Sequence, residues 1–185
     1  MMHQHIFSYG SNLLLARLTA RVPSARFIAR GELTGHTLRW HKAGRDGSGK
    51  CDAFFTGDPA DRLWGGVFEI ASADKHLLDA IEGLGSGYDE KHAEIECLQE
   101  GQNPFVRNAS FYTAVTTNPD ARPFAWYKAF VVAGARECGL PTCHLETLRC
   151  VAAVRDPDRP RDAGNRALLP RVSSRSTHFG RSGAS

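Results

Sequence analysis

Apolar and polar residues alternate in short runs along most of the chain, and Gly, Pro and Asp separate the runs. The run His5–Tyr9 favours a β-strand, and residues 27–40 and 51–70 contain further β-prone segments joined by turn residues. Residues 94–98 alternate in polarity, and residues 110–115 are rich in aromatic and β-branched side chains. Several strands with short connections predict a mostly antiparallel sheet.

Three other segments have the patterning of helices. Residues 13–18 are apolar and helix-forming, and a Gly-Ser-Asn interruption separates them from the first strand, which predicts a strand-loop-helix unit. Residues 72–82 carry an apolar stripe behind a serine N-cap, and Gly83 ends that helix. Residues 123–138 begin with a proline and precede Gly139, the usual order at the two ends of a helix.

Apolar periodicity ends near Asp156, where Pro, Arg, Ser and Gly become frequent. This shift predicts one domain over residues 1–155 and a disordered basic tail over residues 156–185. The net charge is +3, but residues 155–185 hold seven arginines and three aspartates, so the domain itself is near neutral. We therefore expect no nucleic-acid partner for the folded part, and a nucleic-acid binder would have to use the tail alone.

The sequence also bears on the compartment. No run approaches the roughly 18 apolar residues of a membrane span, and the first residues lack the features of a secretory signal. The five cysteines do not form the dense framework of small secreted domains. We expect reduced thiols, no membrane association and a cytoplasmic location. The cysteines are Cys51, Cys97, Cys138, Cys143 and Cys150.

Two apparent sites can be set aside. Residues 44–51 almost match a phosphate-binding loop, but Cys51 replaces the magnesium-binding hydroxyl, and residues 51–56 look like a strand where that loop requires a helix. The second apparent site is a group of Cys and His residues near residues 138–150. It has neither two C-x-x-C motifs nor two histidines one helical turn apart, so no metal site is expected. It comprises Cys138, Cys143, His144 and Cys150.

The loop at residues 9–13 has stronger chemical potential. It presents successive backbone N–H groups between a strand and a helix, and such a turn can hold a carboxylate or an oxyanion. Gly10 permits close approach of a ligand, while Ser11 and Asn12 can cap the helix or add donors. The residues alone leave a second interpretation open, in which this is an ordinary strand-to-helix turn with good caps.

Motifs in one consistent order resemble those of the γ-glutamylcyclotransferases. The first is the octapeptide from Ile6 to Leu13, which contains Tyr-Gly-Ser-Asn-Leu after the first strand. The others are Trp-Gly-Gly-Val-Phe at 64–68, Leu-Asp-Ala-Ile-Glu-Gly at 78–83 with Tyr88 downstream, and Trp-Tyr-Lys at 126–128 with the helix exit at 134–141. Asn12 follows Tyr-Gly-Ser where the glutathione-specific ChaC-type branch has leucine, which argues against that branch.

The resemblance implies an α+β fold in which a small, mixed, barrel-like sheet is packed by helices. It implies release of 5-oxoproline from a γ-glutamyl amino acid or amine, without a cofactor, and by analogy it is compatible with a homodimer. Glu82 would be the catalytic general acid and base. The expected substrate-binding residues are Ile6, Phe7, Ser8, Tyr9, Gly10, Ser11, Asn12, Leu13, Tyr88 and Tyr127, with Tyr112 suggested by its strand position alone.

Other interpretations stay open at this point. An arbitrary glutamate at a helix end is usually a solvated carboxylate, and only the resemblance favours a catalytic Glu82. A non-catalytic module of the same fold could bind or sense γ-glutamyl ligands. The sequence does not identify the amine attached to the γ-carbonyl, because every γ-glutamyl compound shares the portion that the loop would bind.

Overall fold

The computed structural model describes residues 2–170, and seven β-strands form two sheets. The strands are β1 (His3–Ser8), β2 (Arg26–Thr34), β3 (His36–Ala43), β4 (Gly49–Phe55), β5 (Arg62–Ala71), β6 (Tyr88–Leu98) and β7 (Phe105–Ala114). Five of them close a barrel in the order β1-β5-β2-β6-β7, and β3 pairs with β4 in a separate two-stranded ribbon.

The barrel combines antiparallel and parallel pairing. Four of its neighbouring pairs are antiparallel, and β1 closes the barrel by pairing in parallel with β7 at Ile6 and Ser110. The predictions of a mostly antiparallel sheet and of a mixed, barrel-like α+β fold are therefore confirmed. Closure removes the exposed edges that an open sheet of this size would leave.

Five α-helices accompany the sheets within residues 2–170. They are α1 (Leu15–Thr19), α2 (Lys75–Glu82), α3 (Ala125–Glu137), α4 (Thr142–Cys150) and α5 (Arg159–Ala167), with short 3-10 turns at Ser11–Leu13 and Ser72–Asp74. The three helices predicted from sequence are confirmed close to their predicted bounds, and Gly83 and Gly139 follow two of them in the left-handed conformation. The predicted N-cap at Ser72 is wrong, because Ser72–Asp74 form a 3-10 turn and Asp74 precedes α2 without a side-chain capping bond. Within residues 2–170, no helix combines the length and apolarity needed to cross a bilayer.

The prediction of disorder from residue 156 is wrong for residues 156–170, while residues 171–185 lie outside the described part. Asp156 is only 1% exposed and accepts hydrogen bonds from Trp126 Nε1 of α3 at 2.8 Å and from the Arg161 guanidinium of α5 at 2.6 and 2.7 Å. Asp158 caps α5 by accepting from the Arg161 backbone N–H. This charge-assisted clamp orders a segment whose composition alone indicates disorder.

The packing of α3 against the 3-10 turn at Ser11–Leu13 requires glycine at position 134, because any side chain there would collide with the turn. A Cβ added at Gly134 of α3 would lie 2.3 Å from the Leu14 backbone nitrogen and 2.4 Å from the Leu13 carbonyl carbon. Only glycine lets the helix backbone approach the turn this closely. The contact sets the position of the turn relative to Tyr127, which lies on the same helix.

This close approach leads to a prediction about stability. Gly134→Ala should destabilise the fold by roughly 1–3 kcal/mol, since backbone atoms must move apart to admit the methyl group. For a chain of this size, that loss corresponds to a drop of about 2–4 °C in Tm per kcal/mol. Thermal unfolding followed by circular dichroism measures the change.

Gly164→Ala is the matched control. Gly164 also lies inside a helix but is exposed, and nothing comes within 4 Å of an added Cβ. Alanine there should leave Tm unchanged or raise it, because it lowers the conformational entropy of the unfolded chain. Equal melting temperatures for the two variants would contradict the proposed role of Gly134.

Candidate active site

A small cavity lies where the loop after β1, the end of α2, strands β4, β6 and β7, and helix α3 converge. Its volume is about 50 Å³, and it is lined by Phe7, Ser8, Tyr9, Gly10, Ser11, Asn12, Cys51, Glu82, Tyr88, Tyr112 and Tyr127. An outer cleft of about 300 Å³ shares four of these lining residues, namely Ser11, Glu82, Tyr88 and Tyr127. We call these spaces the inner cavity and the outer cleft.

The loop that follows β1 offers hydrogen-bond donors to the inner cavity. Within residues 2–170, the backbone N–H groups of Tyr9, Gly10 and Ser11 donate to no protein acceptor, and the first bond of the 3-10 turn runs from Leu13 N–H to the Gly10 carbonyl. A Cβ at Gly10 would lie 3.1 Å from Cys51 Cβ and 3.3 Å from the Tyr127 hydroxyl. Glycine therefore brings the free amides close to the opposite wall.

Glu82 is placed in the cavity by the end of α2. Gly83 follows it at φ +66°, a left-handed conformation that ends the helix and favours glycine. The Glu82 side chain is 16% exposed, and its Oε1 accepts a 2.8 Å hydrogen bond from the Asn12 side-chain amide. Arg21 donates to the Asn12 side-chain oxygen at 2.8 Å and lies 3.8 Å from the same Glu82 oxygen.

The electrostatic setting of Glu82 differs from that of a solvated helix-end carboxylate. Burial raises the pKa of its carboxyl above the ordinary glutamate value, while Arg21 and the hydrogen bond from Asn12 offset part of the shift. A carboxyl group with a raised pKa can both accept and return a proton nearer to neutral pH. The geometry thus fits a group that exchanges protons.

Two tyrosine hydroxyls are anchored to the main chain of one residue in β4. Tyr88 donates its hydroxyl to the Cys51 carbonyl at 2.8 Å, and the Tyr127 hydroxyl accepts from the Cys51 backbone N–H at 3.1 Å. Burial raises the pKa of both tyrosines well above the ordinary value, so each keeps its proton at neutral pH. Tyr127 therefore retains a hydroxyl hydrogen to donate.

The remaining tyrosines brace the far wall of the cavity. The Tyr9 hydroxyl donates to the Tyr112 carbonyl, and the Tyr112 hydroxyl donates to Asp79 Oδ1 at 2.6 Å. Asp79 also pairs with Lys75, one helical turn earlier in α2. Because Asp79 lies three residues before Glu82, this chain of contacts fixes α2 against β1 and β7.

The structure brings most of the predicted site residues together. Phe7 to Asn12, Glu82, Tyr88, Tyr112 and Tyr127 all line the inner cavity. Ile6 and Leu13 do not, because their side chains are buried in the hydrophobic core behind it.

Sequence reasoning missed three contributors. The sequence indicates no site role for Cys51. Residues 49–55 form the strand that the sequence predicts in place of a phosphate-binding helix, and Cys51 forms part of the cavity wall. Burial raises the pKa of its thiol to about 12, which keeps it protonated. The sequence around Arg21 and Lys42 does not indicate that they belong to the site, because they reach it through contacts with residues distant in sequence.

The region around α4 shows no metal-binding arrangement. Within the described part of the chain, no three side chains of His, Cys, Asp or Glu are grouped closely enough to hold a metal ion. Cys138 is buried, whereas Cys143 and Cys150 are exposed and unpaired with one another. The five cysteines form no disulfide within residues 2–170.

The raised pKa of Glu82 leads to a prediction about stability and pH. Between about pH 4, where an unfolded glutamate loses its proton, and the higher folded-state pKa, the folded protein binds more protons than the unfolded chain. Its stability therefore falls as pH rises through this window. Relative to Glu82→Gln, the wild-type free energy of unfolding should decline over that range. Urea unfolding at several pH values measures the difference in unfolding free energy between wild type and Glu82→Gln. Glu146→Gln, which replaces an exposed carboxyl in α4, is the control. If the difference between wild type and Glu146→Gln declined equally with pH, the prediction for Glu82 would be contradicted.

Comparisons with known proteins agree with this geometry. The model of the AIG2-like family matches residues 62–148. The human γ-glutamylcyclotransferase is 31% identical over 149 residues, covering 78% of this chain and 77% of its own length, and the mouse enzyme of the same name is 31% identical over 159 residues with the same coverage. A solved structure titled gamma-glutamyl cyclotransferase superposes with a TM-score of 0.73 at 28% identity, covering 83% of this chain and 90% of that one. The chain belongs to the γ-glutamylcyclotransferase family.

Proposed function

We propose that this protein converts a γ-glutamyl amino acid or amine into 5-oxoproline and the free amine, with Glu82 as the general acid and base. One observation carries the proposal. A partly buried carboxylate and a loop whose backbone N–H groups have no protein acceptor within residues 2–170 line one narrow cavity. The similarity to enzymes named γ-glutamylcyclotransferase supports this activity.

The proposed reaction is an internal acyl transfer. The α-amine of the glutamyl group attacks its own γ-carbonyl carbon, a C–N bond forms, and the carbonyl oxygen becomes an oxyanion. The bond from that carbon to the original amide nitrogen then breaks, which gives a five-membered lactam and a free amine. Because the substrate supplies its own nucleophile, holding it folded contributes much of the rate advantage of intramolecular reactions.

Glu82 would solve the two proton problems of this reaction. The attacking amine must lose a proton, and the departing nitrogen must gain one. A single carboxylate located between them can take the first proton and deliver the second. Asn12 holds the Glu82 oxygen in place by a hydrogen bond, and Arg21 in turn orients the Asn12 amide.

The loop amides would stabilise the charge that develops on the carbonyl oxygen. The free N–H groups of Tyr9, Gly10 and Ser11 line the same cavity as Glu82 and need no reorganisation to donate. The Tyr127 hydroxyl adds a neutral donor in the same wall. The outer cleft, with a volume of about 300 Å³, has room for the leaving amine.

The test is release of 5-oxoproline from a panel of γ-glutamyl amino acids, γ-glutamyl amines and ε-linked γ-glutamyl-lysine. Wild type should release it from at least one compound, and Glu82→Gln should be slower by on the order of 100-fold or more, the usual contribution of a general acid and base. Glu146→Gln should retain wild-type rates. Calorimetry should show that Glu82→Gln still binds the best substrate.

Two results would count against the proposal. Equal rates for wild type and Glu82→Gln would remove the assigned role of the carboxylate. Absence of release from every compound by folded wild type would contradict the cyclotransferase activity, and binding without release would instead favour a non-catalytic module that senses γ-glutamyl ligands.

A further inference from the structure

The outer cleft carries an excess of positive charge, although the domain as a whole is nearly neutral. Five basic side chains line it against two acidic ones. The basic residues are Arg17, Arg21, Lys42, Arg45 and Lys50, and the acidic residues are Asp46 and Glu82. A pocket with this balance attracts anions and repels cations.

Only part of this charge is compensated by neighbouring carboxylates. Lys50 pairs with Asp46 at 2.8 Å, and Arg21 interacts with Glu82 through Asn12. Within residues 2–170, the charged groups of Arg17, Lys42 and Arg45 form no ion pair. These three cations are the uncompensated charges of the cleft.

Lys42 is the most informative of the three. Its residue is only 9% exposed, and its ammonium makes no hydrogen bond within the described part of the chain. Its Nζ lies 5.0 Å from the centre of the Tyr88 ring, and it would lie 3.6 Å from a Cβ added at Gly87. An ammonium that lines the cleft without a hydrogen bond or an ion pair can bind an anion that enters from solvent.

Two guanidinium groups extend the basic surface on either side. Arg45 is exposed, and its Nη2 would lie 3.7 Å from a Cβ added at Gly83, immediately after Glu82. Arg17 stacks on the Phe130 ring at 4.4 Å, and its Nε is buried without a hydrogen-bond partner among residues 2–170. Burial and Arg21 lower the pKa of Arg17 to about 10, which leaves it charged at neutral pH.

The cleft lies on the leaving-group side of the proposed reaction. Glu82 lines both the inner cavity and the outer cleft, so the bond that breaks would lie at their junction. The glutamyl unit has one carboxylate and one ammonium, and it therefore adds no net charge. Three uncompensated cations exceed what the single α-carboxylate of a neutral amino acid can satisfy.

We propose that the outer cleft selects a leaving amine with two negative charges, namely an acidic amino acid with its α-carboxylate and its side-chain carboxylate both free. This inference rests on the proposed function and names its substrate class. The favoured reaction turns γ-glutamyl-glutamate into 5-oxoproline and glutamate, and Lys42 and Arg45 contact the leaving group as residues that determine specificity.

The test compares two nearly isosteric substrates, γ-glutamyl-glutamate and γ-glutamyl-glutamine, which differ by one charge. Wild type should favour the first by roughly tenfold in kcat/KM, equivalent to ~1.4 kcal/mol. High salt should reduce the preference, because the cleft is open to solvent and its charges are screened. Release of glutamate and of 5-oxoproline should be equal in amount.

Matched variants locate the effect. Lys42→Met and Arg45→Gln should each reduce the preference for γ-glutamyl-glutamate severalfold while release from γ-glutamyl-glutamine continues. Arg45 is exposed, so its replacement leaves the core intact even where Lys42→Met proves less stable. Arg155→Gln removes an exposed arginine outside the cleft and should keep the wild-type preference.

Failure of this inference can be separated from failure of the proposed function. Release from both substrates with equal kcat/KM would overturn the selectivity and leave the cyclotransferase activity standing. If neither substrate is turned over, calorimetry with the Glu82→Gln protein measures whether the outer cleft binds γ-glutamyl-glutamate more tightly than γ-glutamyl-glutamine. Tighter binding of γ-glutamyl-glutamate that Arg45→Gln weakens would support an acidic-ligand site, and equal binding of the two compounds would overturn it.

Discussion

The hydrogen bond from Asn12 to Glu82 joins two segments that are 70 residues apart in the chain. It places the carboxylate opposite the loop amides, and it forms only if α2 and the turn after β1 are both held in register. Tyr112 and Asp79 hold α2 in place, and Gly134 allows α3 to press the turn against the barrel. The barrel, the close approach at Gly134 and the tyrosine hydrogen bonds therefore together set the distance between the Asn12 and Glu82 side chains.

Local patterning accounted for most of the elements that build this arrangement. The strand at the N terminus is β-prone, and the helices that end at Gly83 and near Gly139 show an apolar stripe and a following glycine in a single sequence. The loop at residues 9–12 was also identified from its position between a strand and a helix. What local patterning could not supply was a reason to prefer a catalytic Glu82 over a solvated one, and the family motifs supplied it.

The features that sequence reasoning missed share a physical cause. Asp156 orders the segment around α5 through Trp126, 30 residues earlier, and no composition window spans that contact. Cys51 acts through its main-chain N–H and C=O, which every residue except proline possesses, so its side-chain identity gave no indication. Lys42 and Arg45 belong to a strand and a turn that look like ordinary solvated surface until folding brings them beside α2.

The β3–β4 ribbon stands apart from the closed barrel, yet it supplies Lys42, Arg45 and Lys50 to the outer cleft and Cys51 to the cavity wall. The tyrosines attach to the ribbon through the main chain of Cys51, so replacing side chains on that hairpin leaves their anchors in place. Glu82, the proposed acid and base, lies on a different element, α2. The sequence of the ribbon can therefore change, and with it the charge of the outer cleft, without displacing Glu82 or the main-chain anchors of the tyrosines.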